Sequence, residues 1–387
     1  MRHLAKTWRT ASVLVLAAGF AFAGCTSGSS APPTTSVQVS AQVPASTQGT
    51  APSPASTMAA ASAPASASAP ASASAAAPAV MNVYIYNQAS PYGIAMEKGW
   101  FEQALPNTQF NWIQGAGAPG ALSGLAGGSL DMALLGTPGV AVALAQGIQA
   151  IIPYVFEGIN KDEGLICRTS LHVTKPQQMK GLKVGVTQAT TNEYELIGWL
   201  KTGGMTEDDL DITNGPLQDL TAGFQRGSLD CVESGDPFIQ QMEKAGGSVV
   251  FYAGQLASIG FDPADLLIVR RAFAQQYPEA MKAFIQVNDR SVKYLQSNPS
   301  DAYATMAKYM QLPQDQVQSL MAGSTYLTVE QLQTPQWLGP GGSGGVAASL
   351  MNAGSIWAQL GKIEQAASQD VVNAAVTTQY LLPYSGQ

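Results

Sequence analysis

From Met81 onward the sequence predicts an α/β protein of two lobes, each a mostly parallel sheet flanked by helices, with two strands crossing between the lobes. Three observations predict it. Short β-branched and aromatic runs alternate with longer helical runs, the order of a parallel sheet whose crossovers are helices. That order is completed once after Met81 and restarts after Leu165. The roughly 300 residues involved are enough for two lobes with cores of their own.

The elements follow in order. Residues 83–86 read as a strand, 92–101 as a helix ending near Gly99, and 109–113 as a second strand. The helix at 119–127 begins on Pro119, whose missing N–H is harmless in a first turn. Residues 130–135 form a strand, the turn from Gly136 to Gly139 leads into a helix at 140–146, and 148–156 is a further strand segment. In the second half, strands are expected at 166–168, 183–186, 229–233 and 249–252, with helices at 192–201, 221–225 and 237–244. Residues 266–269 are an apolar strand that returns the chain to the first lobe. Helices at 278–296, 301–310, 314–321 and 345–360 complete the chain. The organisation expected is a signal segment at 1–25, a linker at 26–80, a first lobe at 81–165 and 270–387, and a second lobe at 166–269.

The N-terminus carries Arg2, Lys6 and Arg9, then an uncharged stretch from Thr10 to Gly24. That stretch is too short and too rich in Gly and Ala for a membrane span, so it reads as a cleaved export signal. Phe22, Ala23, Gly24 and Cys25 resemble a bacterial lipobox, with Phe22 where Leu is usual. The resemblance implies that Cys25 is lipidated and anchors the chain at the periplasmic or extracytoplasmic face. Residues 26–80 hold no charged and no aromatic residue. Such a segment has nothing to bury against the entropy of ordering, and its Ala-Pro-Ser repeats favour extended chain.

The chain has 19 Lys and Arg against 26 Asp and Glu, a net charge of −7 that becomes more acidic once Arg2, Lys6 and Arg9 leave with the signal. This excludes nucleic acid and anionic membrane surfaces as direct partners. Only two His are present, His3 in the signal and His172 alone in a polar stretch. No Cys/His cluster has metal spacing, and no Gly-Lys-Ser/Thr phosphate loop follows a strand. Cys167 and Cys231 lie in apolar strand-like runs. They read as a disulfide in an oxidising compartment or as two buried thiols.

The domain resembles the type 2 periplasmic binding proteins of ABC importers, in the taurine, aliphatic-sulfonate and nitrate branch. The likeness rests on Gly127, Gly128, Ser129, Leu130 and Asp131, followed by Gly136, Thr137 and Pro138. It continues through Gly181 to Val186, Thr190 to Tyr194, Phe224 to Asp230 with Pro237, and Asp265 with Val269 to Ala274. Residues 323–328 are most like the taurine-binding subgroup. Two departures stand where a ligand would touch. The aromatic residue usual before Pro237 is replaced by the acidic run Glu233 to Asp236, and a polar residue ahead of Pro119 by Ala116, Gly117 and Ala118.

The resemblance implies a monomeric solute-binding protein without a cofactor. It would close on a small zwitterionic or anionic solute such as taurine and pass it to an ABC permease. Nitrate, bicarbonate or another organic anion is the alternative solute, and a carboxylate-dependent enzyme the alternative class. An oxyanion suits helix starts, where backbone N–H groups and the helix dipole converge. The candidates are the turns at Ala118, at Thr137, and at Thr190 and Thr191, the last pair equally suited to N-capping. For the amine, the resemblance points to Asp265, which also reads as a turn residue. Glu233 and Asp236 are further acidic candidates, Asp236 also as a helix cap. Gln88 and Tyr194 complete the candidate contacts, with Tyr86, Tyr92 and Tyr326 as further aromatics.

Overall fold

The computed structural model describes residues 77–115 and 117–383. The signal segment with Cys25, the linker through residue 76, and Ala116 lie outside the described residues. The first lobe opens with strands β1 (Val80–Ile85), β2 (Gln109–Gln114), β3 (Met132–Gly136) and β4 (Ala150–Gly158). The second contains β5 (Glu163–Arg168), β6 (Lys183–Val186), β7 (Asp211–Asn214), β8 (Cys231–Gly235) and β9 (Gly247–Tyr252), and β10 (Ala264–Arg270) follows. They form two five-stranded sheets of order β2-β1-β3-β10-β4 and β7-β6-β8-β5-β9.

The two sheets share one plan. Each has parallel pairs and one antiparallel strand in the fourth place, β10 in the first and β5 in the second. That strand is in each case the first one made after the chain has crossed from the other lobe, so it enters the sheet from the opposite end. The two-lobed α/β expectation of mostly parallel sheets therefore holds, with one antiparallel strand in each sheet. The expected boundaries shift: residues 264–269 lie in the first sheet and residues 163–165 in the second. Residue 80, expected in the linker, begins β1.

Strands buried on both faces read as continuous apolar runs. β3, β4 and β8 are buried at every position, and β10 at all but the last. By contrast β7 is a polar edge strand whose Asp211, Thr213 and Asn214 carry no apolar alternation, and the sequence did not predict it. The first-lobe helices are α1 (Pro91–Glu97), α2 (Trp100–Ala104), α3 (Ala118–Gly127) and α4 (Thr137–Ala145). The single helix expected at 92–101 is thus two, broken at Gly99, whose φ of 65° is left-handed. The second lobe has α5 (Thr191–Thr202), α6 (Leu217–Arg226) and α7 (Phe238–Lys244). After β10 come α8 (Arg271–Gln276), α9 (Pro278–Ser297), α10 (Pro299–Met310), α11 (Gln314–Met321), α12 (Val329–Leu332), α13 (Gly345–Gln359) and α14 (Gln369–Ala375).

Met281, Phe284, Ile285 and Val292 on α9 are buried at the three-to-four spacing of one helix face. Phe284 meets Phe101, which packs on Phe110 and Trp112. Cys167 and Cys231 stand directly opposite on β5 and β8 and form a disulfide. Among the described residues no helix is long and apolar enough to cross a membrane.

Candidate functional site

Three helix starts converge where the lobes meet. Gly117 enters α3, Gly136 enters α4 and Thr190 enters α5. None of these three cap residues closes its helix with a side-chain hydrogen bond. Apart from Pro119 and Pro138, which have no N–H, the first-turn residues are therefore donors that an oxyanion can use. The starts touch across the lobes: a Cβ on Gly117 would stand 3.7 Å from Thr190 Cγ2, and one on Gly136 would stand 2.5 Å from Thr191 Cγ2.

The hydroxyls at these starts are already engaged. Thr190 donates to the Thr187 carbonyl at 2.6 Å. Thr137 donates to the Ala264 carbonyl and accepts from the Ala264 N–H, at 3.2 and 3.1 Å, so its hydroxyl fastens α4 to β10. Thr191 is buried close to Glu163, whose pKa it acts to lower. What remains for an anion at these turns is backbone, which favours Gly and Ala there. Ala118 is buried at the start of α3.

Gly136 has an ordinary φ of −62°, so alanine there is not strained by its own backbone. Its methyl would instead strike the stiff, β-branched Thr191. Gly136→Ala is expected to change the melting temperature little and to weaken ligand binding at least tenfold, because the lobes can no longer meet. Calorimetry beside a thermal melt checks this, and unchanged affinity would show that the contact is not needed.

The acidic side of the junction is larger than the sequence indicated. Asp265 is not a turn residue: it lies inside β10, opposite Gly136 on β3 and Glu157 on β4, and is 5% exposed. Gln88 Nε2 donates to both carboxylates, at 2.9 Å to Asp265 Oδ2 and 2.5 Å to Glu157 Oε1. Glu157 is 4% exposed, and its Oε2 has no donor. Burial, and then the nearby Asp265 charge, hold Glu157 well above the usual carboxylate range. Burial raises Asp265 to about 7, against the Gln88 hydrogen bond.

The second lobe adds three glutamates: Glu163 on β5 lies near enough to act on Glu157, and Glu195 on α5 and Glu233 on β8 are grouped with Glu163. Glu195 and Glu233 are fully buried, and no protein donor reaches any of their four oxygens. Burial lifts Glu163 to about 8 and raises Glu195 and Glu233 strongly, Glu195 also through the charges of Glu163 and Glu233. Each of the three acts on at least one of the others, and burial in company with like groups favours the protonated form. Among the described residues, ion pairs such as Lys98–Asp301, Arg270–Asp131 and Lys362–Glu193 lie elsewhere, and none involves these five carboxylates. Nor are any three His, Cys, Asp or Glu among the described residues placed to hold a metal ion.

Asp236 stands apart, beside a cavity of about 460 Å³ that Lys161, Gln240, Ser319 and Gly323 also line. Burial lifts it to about 6, and Gln240 donates to its Oδ2 at 3.3 Å. It does not cap α7, whose cap residue is Pro237. Tyr194 is fully buried between Phe261 and Trp357, and its hydroxyl accepts from Asn352 at 3.0 Å, a packing role rather than an open wall. Tyr92 packs on Phe156 in the core, and Tyr326 donates to the Ala89 carbonyl. Tyr86 is half-buried close to Asp265 and Glu163.

Residues 73–311 match the model of the NMT1-like family. The chain belongs to the NMT1-like family. This NMT1-like chain is 26% identical over 267 residues to the taurine-binding periplasmic protein of Escherichia coli, covering 67% of this chain and 82% of that one. It is 22% identical over 224 residues to a putative aliphatic sulfonates-binding protein of Bacillus subtilis, covering 57% and 67%. Among solved structures it shares its fold with the alkanesulfonate-binding protein SsuA of Xanthomonas axonopodis pv. citri bound to MOPS, at a TM-score of 0.61 and 15% identity over 80% of this chain and all of that one. The desulfurization enzyme DSZB also has the fold, at a TM-score of 0.55 and 11% identity over 79% and 97%. The curated relatives are thus named as binding proteins, while the fold itself also hosts an enzyme.

In this NMT1-like protein the structure brings Gln88, Ala118, Thr137, Thr190, Thr191, Glu233 and Asp265 to one junction and leaves Tyr194 in the core. Glu157, Glu163 and Glu195 were missed from sequence. The signal was available for two of them. Glu157 ends an apolar strand before Gly158, and Glu195 sits in a helix buried from Thr191 to Gly198. A charged residue in such a run is rarely buried unless it has a task or a partner.

Proposed function

We propose that this protein is the extracytoplasmic solute-binding component of an ABC importer, tethered through Cys25, and that it captures an amine-bearing small solute of the taurine type between its lobes. The Gln88-bridged pair of Glu157 and Asp265 carries the reading, because it stands beside three helix starts with free first-turn N–H groups. An ammonium would displace the Gln88 amide from between the two carboxylates, and a sulfonate would lie on the helix starts. Charge-assisted hydrogen bonds in a closed, dry site are strong enough to select for the amine. Closure would present one surface of the liganded protein to the permease.

A thermal-shift panel with taurine, longer aminoalkane sulfonates, nitrate and bicarbonate tests this. Saturable stabilisation is expected from the amines, about 2.7 kcal/mol at a hundred times Kd, and little from nitrate or bicarbonate. Stabilisation by nitrate alone would overturn the amine assignment. Turnover of a sulfonate would place the protein with the enzymes of this fold.

A further inference from the structure

The junction holds more buried carboxyl oxygens than one ammonium can satisfy, and they form two sets. Glu157 and Asp265 belong to the first lobe, and Glu163, Glu195 and Glu233 to the second. The sets are contiguous. Asp265 Oδ1 lies 3.7 Å and Thr191 Cγ2 2.5 Å from where a Cβ on Gly136 would stand, and Glu163 is near enough to act on Glu157 and to be acted on by Asp265. Each set contains fully buried oxygens that no donor reaches: Oε2 of Glu157, and both oxygens of Glu195 and of Glu233. Lysine and arginine do not fill the deficit, since the charged groups that act on the five carboxylates are other acids.

The first set already shows what fits it. The Gln88 amide nitrogen, a neutral N–H₂ donor, rests between two carboxylates. The second set has no such stand-in. Its oxygens can bond to one another only through shared protons, which a cation entering from the junction would displace. A zwitterion such as taurine brings one N–H donor group and so satisfies the oxygens of one set only. We infer that the native ligand carries two cationic nitrogens, one held by Glu157 and Asp265 and the other by Glu163, Glu195 and Glu233, so that an aliphatic diamine or an aminoalkylguanidine fits the crevice better than taurine does. This rests on the solute-capture reading above and keeps its amine position but replaces the sulfonate by a second cation: taurine occupies only the first of the two positions. The absence of a three-carboxylate metal geometry among the described residues directs the second position to an organic cation.

Calorimetry on the purified protein at neutral pH, with taurine, 1,4-diaminobutane, 1,5-diaminopentane and agmatine as probes, tests the inference. At least one dication is expected to bind ten times more tightly than taurine or better. Its binding is expected to release more protons than taurine does, read from heats in buffers of different ionisation enthalpy. Glu195→Gln with Glu233→Gln is expected to lower dication affinity at least tenfold and taurine affinity less. If the double variant does not fold, Glu163→Gln alone reads the same selectivity change. Taurine binding as tightly as every dication, or a selectivity the variants leave unmoved, would overturn the inference and leave solute capture standing. No binding by either class would overturn both.

Discussion

Asp265→Asn is expected to weaken binding of taurine, or of any amine the protein takes, by at least a hundredfold, about 3 kcal/mol. The strand fixes the group. Asp265 is held in register between Gly136 and Glu157, so its carboxylate cannot retreat from an incoming ammonium or be replaced by a neighbour. Asparagine keeps the shape but removes the charge and can turn an N–H₂ toward the ligand. Truncating one member of a buried charge pair costs roughly 2–5 kcal/mol in affinity. Folding should not suffer, because the substitution removes a buried acid whose charged form burial disfavours. Glu157→Gln should act in the same direction and less strongly, since Asp265 remains. Calorimetry on each variant, with a thermal melt as the folding control, decides it. Unaltered binding in Asp265→Asn would remove the amine acceptor from the site.

The second large effect is on stability and has the opposite sign to ordinary acid denaturation. Glu157, Glu163, Glu195, Glu233, Asp236 and Asp265 all hold protons more tightly in the folded chain than an exposed carboxyl does, with Glu163 at about 8, Asp265 at about 7 and Asp236 at about 6. Their unfolded values lie near 4. When the folded pKa is the higher one, the folded state binds more protons across the interval. The stabilisation is then complete below about pH 4 and is lost as pH rises to about 8. The unliganded protein is therefore expected to melt roughly 10 °C higher at pH 5.5 than at pH 8.5, from a difference of several kcal/mol. An amine ligand should narrow the gap, because it replaces the shared protons with its own charge. Differential scanning calorimetry across that range checks both parts. A melting temperature that rises from pH 5.5 to 8.5 would mean that these carboxyls are not held protonated in the unliganded fold.

Local chemistry made much of the molecule legible. The apolar runs at 132–135, 150–156 and 266–269 are buried on both faces and were found as strands, because a strand covered on both sides has no polar positions to disguise it. Gly99 was found as an end, though not as the break between two helices. The edge strand β7 was invisible, since an exposed strand of Asp, Ile, Thr and Asn has no alternation to detect. The return strand was found, but its sheet membership was set two to six residues late, because a crossing leaves no mark in the residues that make it.

The site divides in the same way. The helix starts at Ala118, Thr137, Thr190 and Thr191 are legible because glycine, proline and hydroxyl residues mark a turn into a helix wherever it occurs, whereas Asp265 was pointed to by the family resemblance and Gln88 by its place just past the first strand. That the three starts meet, that Gly136 must lack a side chain for Thr191 to approach, and that the Thr137 hydroxyl is taken by Ala264 are consequences of how two sheets face each other. Tyr194 had the right neighbours in the chain and the wrong ones in space, with Phe261 and Trp357 around it.

The sequence by itself determined the alternation of strands and helices, the two-lobed plan and the acidic character of the chain, because those follow from side-chain period, length and composition. Only the tertiary structure decided that Glu157 and Asp265 share the Gln88 amide and that Glu163, Glu195 and Glu233 lie together without a cation. The members of each group are up to 108 residues apart, as Glu157 is from Asp265. Electrostatic coupling depends on distance through space, and that distance is set when the sheets pack, by contacts that none of these five residues makes with its neighbours in the chain.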